Sequence, residues 1–164
     1  MRKLIALKAV LLGFGVVAMI VLAAVLVGSE LKIRRKYAVD AAPLAVPTDS
    51  AGVARGDHLY HSIGCAGCHG VDGGGALYLD AGPIGLAAGS NLTSGRGGIS
   101  GRRSDIDLVR AIRHGVRPDS TSLILMPSDV LVHLTDQDLG AIIGYLRRLP
   151  PVDREVPQTH LRIL

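Results

Sequence analysis

Ala9 to Ser29 is a run of 21 residues without a charged side chain, and no other feature limits more sharply what this chain can become. At ~1.5 Å of rise per residue, a helix of that length spans roughly 30 Å, the thickness of the hydrocarbon core of a bilayer. A cleaved signal peptide is the competing reading, because Arg2, Lys3 and Lys8 form a positive leading region. Signal peptides, however, carry apolar stretches of only ~7–15 residues that end at an A-x-A-like site. Here the run is longer and leads into Gly28, Ser29 and Glu30, so a single uncleaved membrane-spanning helix is expected. The flanks do not orient it, since Arg2, Lys3 and Lys8 face Lys32, Arg34, Arg35 and Lys36 across the span.

The chain is basic, with a pI near 9.4, but the charge is unevenly placed. Residues 1–40 hold seven Lys/Arg against Glu30 and Asp40, a net +5; residues 41–164 hold eleven Arg against twelve Asp/Glu, a net −1. Basicity thus belongs to the membrane flanks, where cations meet anionic headgroups. The remainder lacks the electrostatic footprint that phosphate binding needs, so nucleic acid is excluded as a partner.

Four segments follow from the pattern: residues 1–36 as anchor with basic flanks, 37–48 as linker, 49–151 as folded domain and 152–164 as tail. The linker is Ala-rich with Pro43 and Pro47, which reads as semi-extended rather than packed. Ser50 to Ile63 has apolar residues at helical intervals, with Asp49 or Ser50 as N-cap. The Gly-rich stretch Val71–Ser100 has no periodicity and is expected to be a long loop, of the kind that wraps something. A second helix starts at the cap-like Ser104-x-x-Asp107 and stops at Gly115. The last is capped by Thr135, carries the stripe Leu139, Ile142, Ile143 and Leu146, and ends at Pro150-Pro151. No segment alternates as a strand does, so the fold class is all-α. From Asp49 onward there are three Tyr and no Phe or Trp, a deficit of core bulk that a flat apolar cofactor would make good.

Cys65-Ala66-Gly67-Cys68-His69 is the attachment pattern of c-type haem. Residues i, i+3 and i+4 of one helical turn share a face. Two thiols can therefore form thioethers with the porphyrin edge while the imidazole meets the iron. A redox C-x-x-C needs a preceding strand and a βαβ context, and a zinc site needs a fourth ligand. A disulfide between Cys65 and Cys68 would close a very tight loop and leave His69 without a role. The second axial ligand follows by elimination: Met1 and Met19 belong to the terminus and the membrane helix, leaving Met126, and Met is common in this position. Pro127 holds Met126 extended. Of the remaining histidines, His114 and His133 are the least unsuited to ligation, and each is more simply a surface or capping residue.

Together, Cys65–His69, Asn91-Leu92-Thr93, Asp107–Gly115, Leu125-Met126-Pro127-Ser128 and Leu134–Pro150 resemble class I cytochrome c modules. The similarity is closest to the cytochrome subunits of membrane-bound dehydrogenases and oxidases. The resemblance implies a class I cytochrome c fold behind the membrane helix, one covalent haem c and axial ligation by His69 and Met126. It implies that the first and last helices cross at Gly56, Tyr60 and Tyr145, and that Pro83 offers its carbonyl to His69. Tyr60 and Asn91 are counted with the cofactor-binding residues on the same ground. In the systems it resembles, haem is attached outside the bacterial cytoplasm, which puts the domain on the periplasmic side of the inner membrane. Two departures stand out. Arg102-Arg103 occupies the place where dehydrogenase modules commonly carry a Trp, and those subunits hold three haem modules where this chain has one motif.

With both axial positions filled, the iron has no vacancy for oxygen or substrate. The expected role is an electron carrier, without catalytic residues of its own, that passes single electrons between redox protein partners in a respiratory or dehydrogenase chain. The alternatives are a haem enzyme or gas sensor with a labile sixth ligand, and an assembly subunit whose haem merely completes the core. Six arginines, Arg96, Arg102, Arg103, Arg110, Arg113 and Arg117, fall within 22 residues that include only Asp105 and Asp107. They form either a solvated face or a set that pairs with haem propionates and steers an acidic partner.

Overall fold

The computed structural model describes residues 2–161. Helix α1 runs Arg2–Ile33, taking in the basic lead as well as the uncharged run. It is long and apolar enough to cross a membrane, and its most apolar stretch is not buried against the rest of the chain. Three residues beyond its end the chain is already fastened: Lys36 Nζ donates to the Asp119 carbonyl at 2.6 Å and the Tyr37 amide to the Ser120 carbonyl at 2.9 Å.

The linker is extended, as its prolines require, but it is packed, contrary to expectation. Ala41 is buried, and Leu44 and Val46 lie against the core. The reason is on helix α6 (Asp136–Arg148), where Gly140 and Gly144 share a face and leave a groove. A Cβ on Gly140 would stand 2.2 Å from the Ala45 carbonyl oxygen.

Helix α2 (Ser50–Ser62) crosses α6 at Gly56, where a Cβ would meet the Ala141 carbonyl oxygen at 2.0 Å and Tyr145 Cβ at 2.8 Å. Backbones approach this closely only without a side chain between them. The Tyr60 and Tyr145 rings pack beside the crossing with centroids 5.3 Å apart. Helix α4 (Asp105–His114) closes the core and carries the reciprocal Ser104/Asp107 cap expected of it. Tyr60, Val109, Leu139, Ile142 and Ile143 are fully buried, each such side chain stabilising the fold by about 1.5–3 kcal/mol.

Helix α2 does not run straight into the Cys-Cys-His turn. Gly64 at φ 95° breaks it, and the turn is a separate short helix, α3 (Cys65–His69). A four-residue helix, α5 (Ser128–Leu131), follows Met126-Pro127.

The all-α expectation is corrected in one region. The stretch 71–100 contains β1 (Ala76–Asp80) and β2 (Gly85–Gly89), an antiparallel pair, and β2 pairs in turn with β3 (His160–Leu161). The period-two signal is hidden because Gly85-Leu86-Ala87-Ala88-Gly89 alternates in burial with almost no contrast in polarity. In β1, Leu77, Tyr78 and Leu79 are all exposed. The segment after Pro151 thus returns along the domain instead of leaving it.

Candidate cofactor site

Between α3, α4 and the Met126 loop the domain opens into a cleft. An inner recess of about 160 Å³ is walled by Leu108, Ile112, Leu131 and Leu146. It continues into an outer hollow of about 1180 Å³, which Ile33 at the end of α1 also borders. Cys65, His69 and Met126 line both parts. Cys68 lines the outer hollow alone. The two thiols are unpaired, and burial raises the Cys65 thiol above its ordinary pKa. Among the described residues there is no group of three or more His, Cys, Asp or Glu placed to hold a metal ion.

His69 is oriented by a hydrogen bond to the backbone. Its Nδ1 lies 2.9 Å from the Ser90 carbonyl oxygen. A carbonyl only accepts, so Nδ1 carries the proton and Nε2 is left with a lone pair. Desolvation pushes the imidazole pKa down, with the Ser90 bond opposing, and the neutral ring is the form that ligates metal. The sheet makes this contact possible. β2 runs so close behind α3 that a Cβ on Gly89 would stand 1.9 Å from the Cys68 carbonyl oxygen, and the next residue is Ser90.

The expected role of Pro83 is therefore overturned. Pro83 sits exposed in the turn Gly82–Ile84 between β1 and β2, whereas β2 brings Ser90 back to His69. Asn91 is also corrected. It is buried, it lines neither part of the cleft, and its side chain is spent on the chain itself: Nδ2 donates to the Val152 carbonyl at 2.7 Å and the Arg154 carbonyl at 3.0 Å, and Oδ1 accepts from Thr93. Tyr60 does wall the inner recess, and its hydroxyl donates to the Gly70 carbonyl. His133 and His114 line neither part of the cleft.

A family model for cytochrome c matches residues 53–150. This chain belongs to the cytochrome c family. The family implies covalent haem c, and the cleft fits it. The only two cysteines of the chain border it, one imidazole nitrogen is free to ligate, and the inner walls are apolar. This cytochrome c is similar to the fructose dehydrogenase cytochrome subunit of Gluconobacter japonicus, with 32% identity over 127 residues, 73% of this chain and 26% of that protein. With the gluconate 2-dehydrogenase cytochrome c subunit of Pantoea cypripedii it shares 33% identity over 102 residues, 59% of this chain and 23% of the other. With the cytochrome c subunit of the quinone alcohol dehydrogenase of Gluconacetobacter polyoxogenes it shares 30% identity over 102 residues, 59% of this chain and 22% of the other. The cytochrome thus spans about a quarter of the length of these relatives.

Three groups at the cleft escape sequence reasoning. Ser90 acts through its backbone, which leaves no side-chain signal, although the neighbouring Asn91-Leu92-Thr93 marks the place. Tyr78 reaches the outer hollow from β1, and residues 156–160 reach it from the segment after the last helix. Of the six clustered arginines, Arg102, Arg103 and Arg117 line the cleft. Arg110 and Arg113 are committed to Asp107 at 3.0 Å and Asp136 at 2.7 Å.

Proposed function

We propose that this cytochrome carries one haem c, joined by thioethers to Cys65 and Cys68 and ligated by His69 Nε2 and Met126 Sδ. In this role it relays single electrons between membrane-associated redox partners. The observation that carries the reading is the shared cleft: His69, with Nδ1 tied to Ser90 and Nε2 left over, and Met126 wall the same apolar recess beside Cys65. When bound, the haem supplies an iron that accepts and returns one electron. The chain does the rest. Ser90 holds the His69 proton on Nδ1 and raises the basicity of the other nitrogen. Leu108, Ile112 and Leu146 exclude water from the inner side. A thioether ligand favours the reduced state.

On this reading α1 spans the cytoplasmic membrane with the domain on its periplasmic face, and the similarity to dehydrogenase cytochrome subunits points to a dehydrogenase complex as the partner. The exposed arginines of the cleft, Arg102 and Arg103, suit an acidic docking surface.

Met126→Ala, expressed with the cytochrome maturation machinery, tests the assignment. The parent should show a low-spin spectrum with a weak near-infrared sulfur-to-iron band. The variant should lose that band and bind carbon monoxide. A parent that is high-spin and binds carbon monoxide readily would sink the electron-carrier reading in favour of a haem enzyme or gas sensor.

A further inference from the structure

Residues 152–160 lie beyond the stretch that matches the family, 53–150, yet their second half walls the cleft. Val156, Pro157, Gln158, Thr159 and His160 all border the outer hollow. This strap is fastened along its length. Asn91 holds the Val152 and Arg154 carbonyls, and the Val152 amide donates to Thr93 Oγ1 at 3.0 Å. The Arg154 guanidinium pairs with Asp72 at 3.0 Å and donates to the Gly75 carbonyl at 3.0 Å. The Thr159 hydroxyl donates to the Ala88 carbonyl at 2.8 Å and accepts from the Ala88 amide at 2.9 Å. The domain leaves room for it: a Cβ on Gly95 would stand 2.3 Å from the Val152 carbonyl oxygen.

These fastenings converge on one residue. Ser90, the acceptor for His69, lies two positions after Ala88, which Thr159 grips, and one before Asn91, which grips Val152 and Arg154. The strap therefore holds the backbone on both sides of the carbonyl that orients the imidazole. It also occupies a flank of the hollow that water would otherwise fill.

We propose that the strap Val152–His160 is part of the cofactor site. It shields one side of the haem from solvent and, through the positioning residues Asn91 and Thr159, fixes the Ser90 carbonyl on His69 Nδ1. The proposal rests on the haem reading of the cleft. Its consequence is electrochemical. Water admitted to an open flank favours the more highly charged oxidised iron, and a slack Ser90 contact alters the basicity of the His69 ligand.

The test uses the full haem-loaded protein in detergent, its Thr159→Val variant, and a chain ended after Glu155, which keeps the Asn91 contacts. Each is followed by visible spectrum, redox titration, imidazole binding to the ferric form and thermal melting. The low-spin spectrum should persist in all three. The midpoint potential should rise in Thr159→Val, where the slack Ser90 contact leaves the His69 ligand less basic, and fall in the shortened chain, where water entering the open flank outweighs that effect. Imidazole should displace Met126 about tenfold more readily in the shortened chain than in the parent. Unchanged potential and imidazole affinity, with only the melting temperature lowered, would make the strap purely structural and overturn the proposal. Should the shortened chain fail to fold, the potential of Thr159→Val alone decides. A parent without a low-spin spectrum would overturn the haem reading and the strap's role with it.

Discussion

Tyr60 donates its hydroxyl proton to the Gly70 carbonyl across 2.6 Å, which joins the buried side of α2 to the residue that follows His69. Burial, reinforced by Cys65 and Tyr145, pushes the phenol well above its usual pKa, so the donor is present at every working pH. Tyr60→Phe would keep the ring and leave the Gly70 oxygen without this bond. The Gly70 oxygen still accepts from the Gly73 amide at 3.1 Å, so the expected loss is about 0.5–1.5 kcal/mol of stability, the net worth of one hydrogen bond. It is read from the denaturant midpoint of the haem-loaded protein, and an unchanged midpoint would mean the bond contributes nothing.

Acid should weaken the domain at its helix starts. Asp49 is held below the usual carboxylate range by the Gly52 amide, and Asp138 by the Thr135 hydroxyl and Arg55. For Asp107 burial works the other way, but the Ser104 hydroxyl and amide outweigh it. Each carboxylate titrates lower folded than unfolded, where about 3.9 is normal. Their stabilisation is therefore complete above that value and lost as pH falls through the folded values. The carboxylate share of the stability should hold down to roughly pH 5 and then drop, lowering the melting temperature, and Asp107→Asn should make the drop shallower. A domain equally stable at pH 2 would contradict this account.

Arg103 is exposed at the wall of the cleft, while Arg110 and Arg113 are tied up in ion pairs. Arg103→Gln should slow electron transfer to an acidic partner several-fold at low salt and flatten its ionic-strength dependence. Stopped-flow rates from about 0.01 M to about 1 M salt, over which the screening length shrinks from ~30 Å to ~3 Å, measure this. Parent rates that ignore salt would remove the steering role.

The sequence is legible where chemistry is concentrated in side chains. The caps at Ser104 and Thr135, the choice of Asp49 or Ser50 for the first helix, the breaks at Gly115 and Pro150, and the convergence of Cys65, His69 and Met126 are all carried by residue types whose preferences are strong. The family is readable for the same reason. What escapes is carried by backbone. Ser90 orients His69 with a carbonyl that every residue possesses, and strand β2 is built of Gly and Ala, which mute its alternation. The packing of the linker is hidden because it depends on Gly140 and Gly144, whose effect is visible only when Ala45 and Pro47 lie across them. Asn91 marks the right place with the wrong duty, since a buried amide reads alike whether it faces a ligand or binds a neighbouring strand.

Only Arg34 and Arg35 separate the last residue of α1 from Lys36 and Tyr37, which are already bound to Asp119 and Ser120. The three steps from Ile33 to Lys36 reach at most ~11 Å. With α1 in a bilayer, the domain is mounted like a turret, not flown like a kite. Its encounters are confined to a thin shell above the lipid and proceed by lateral drift of the whole molecule. Any exchange with a centre farther out depends on how far the other protein can stretch.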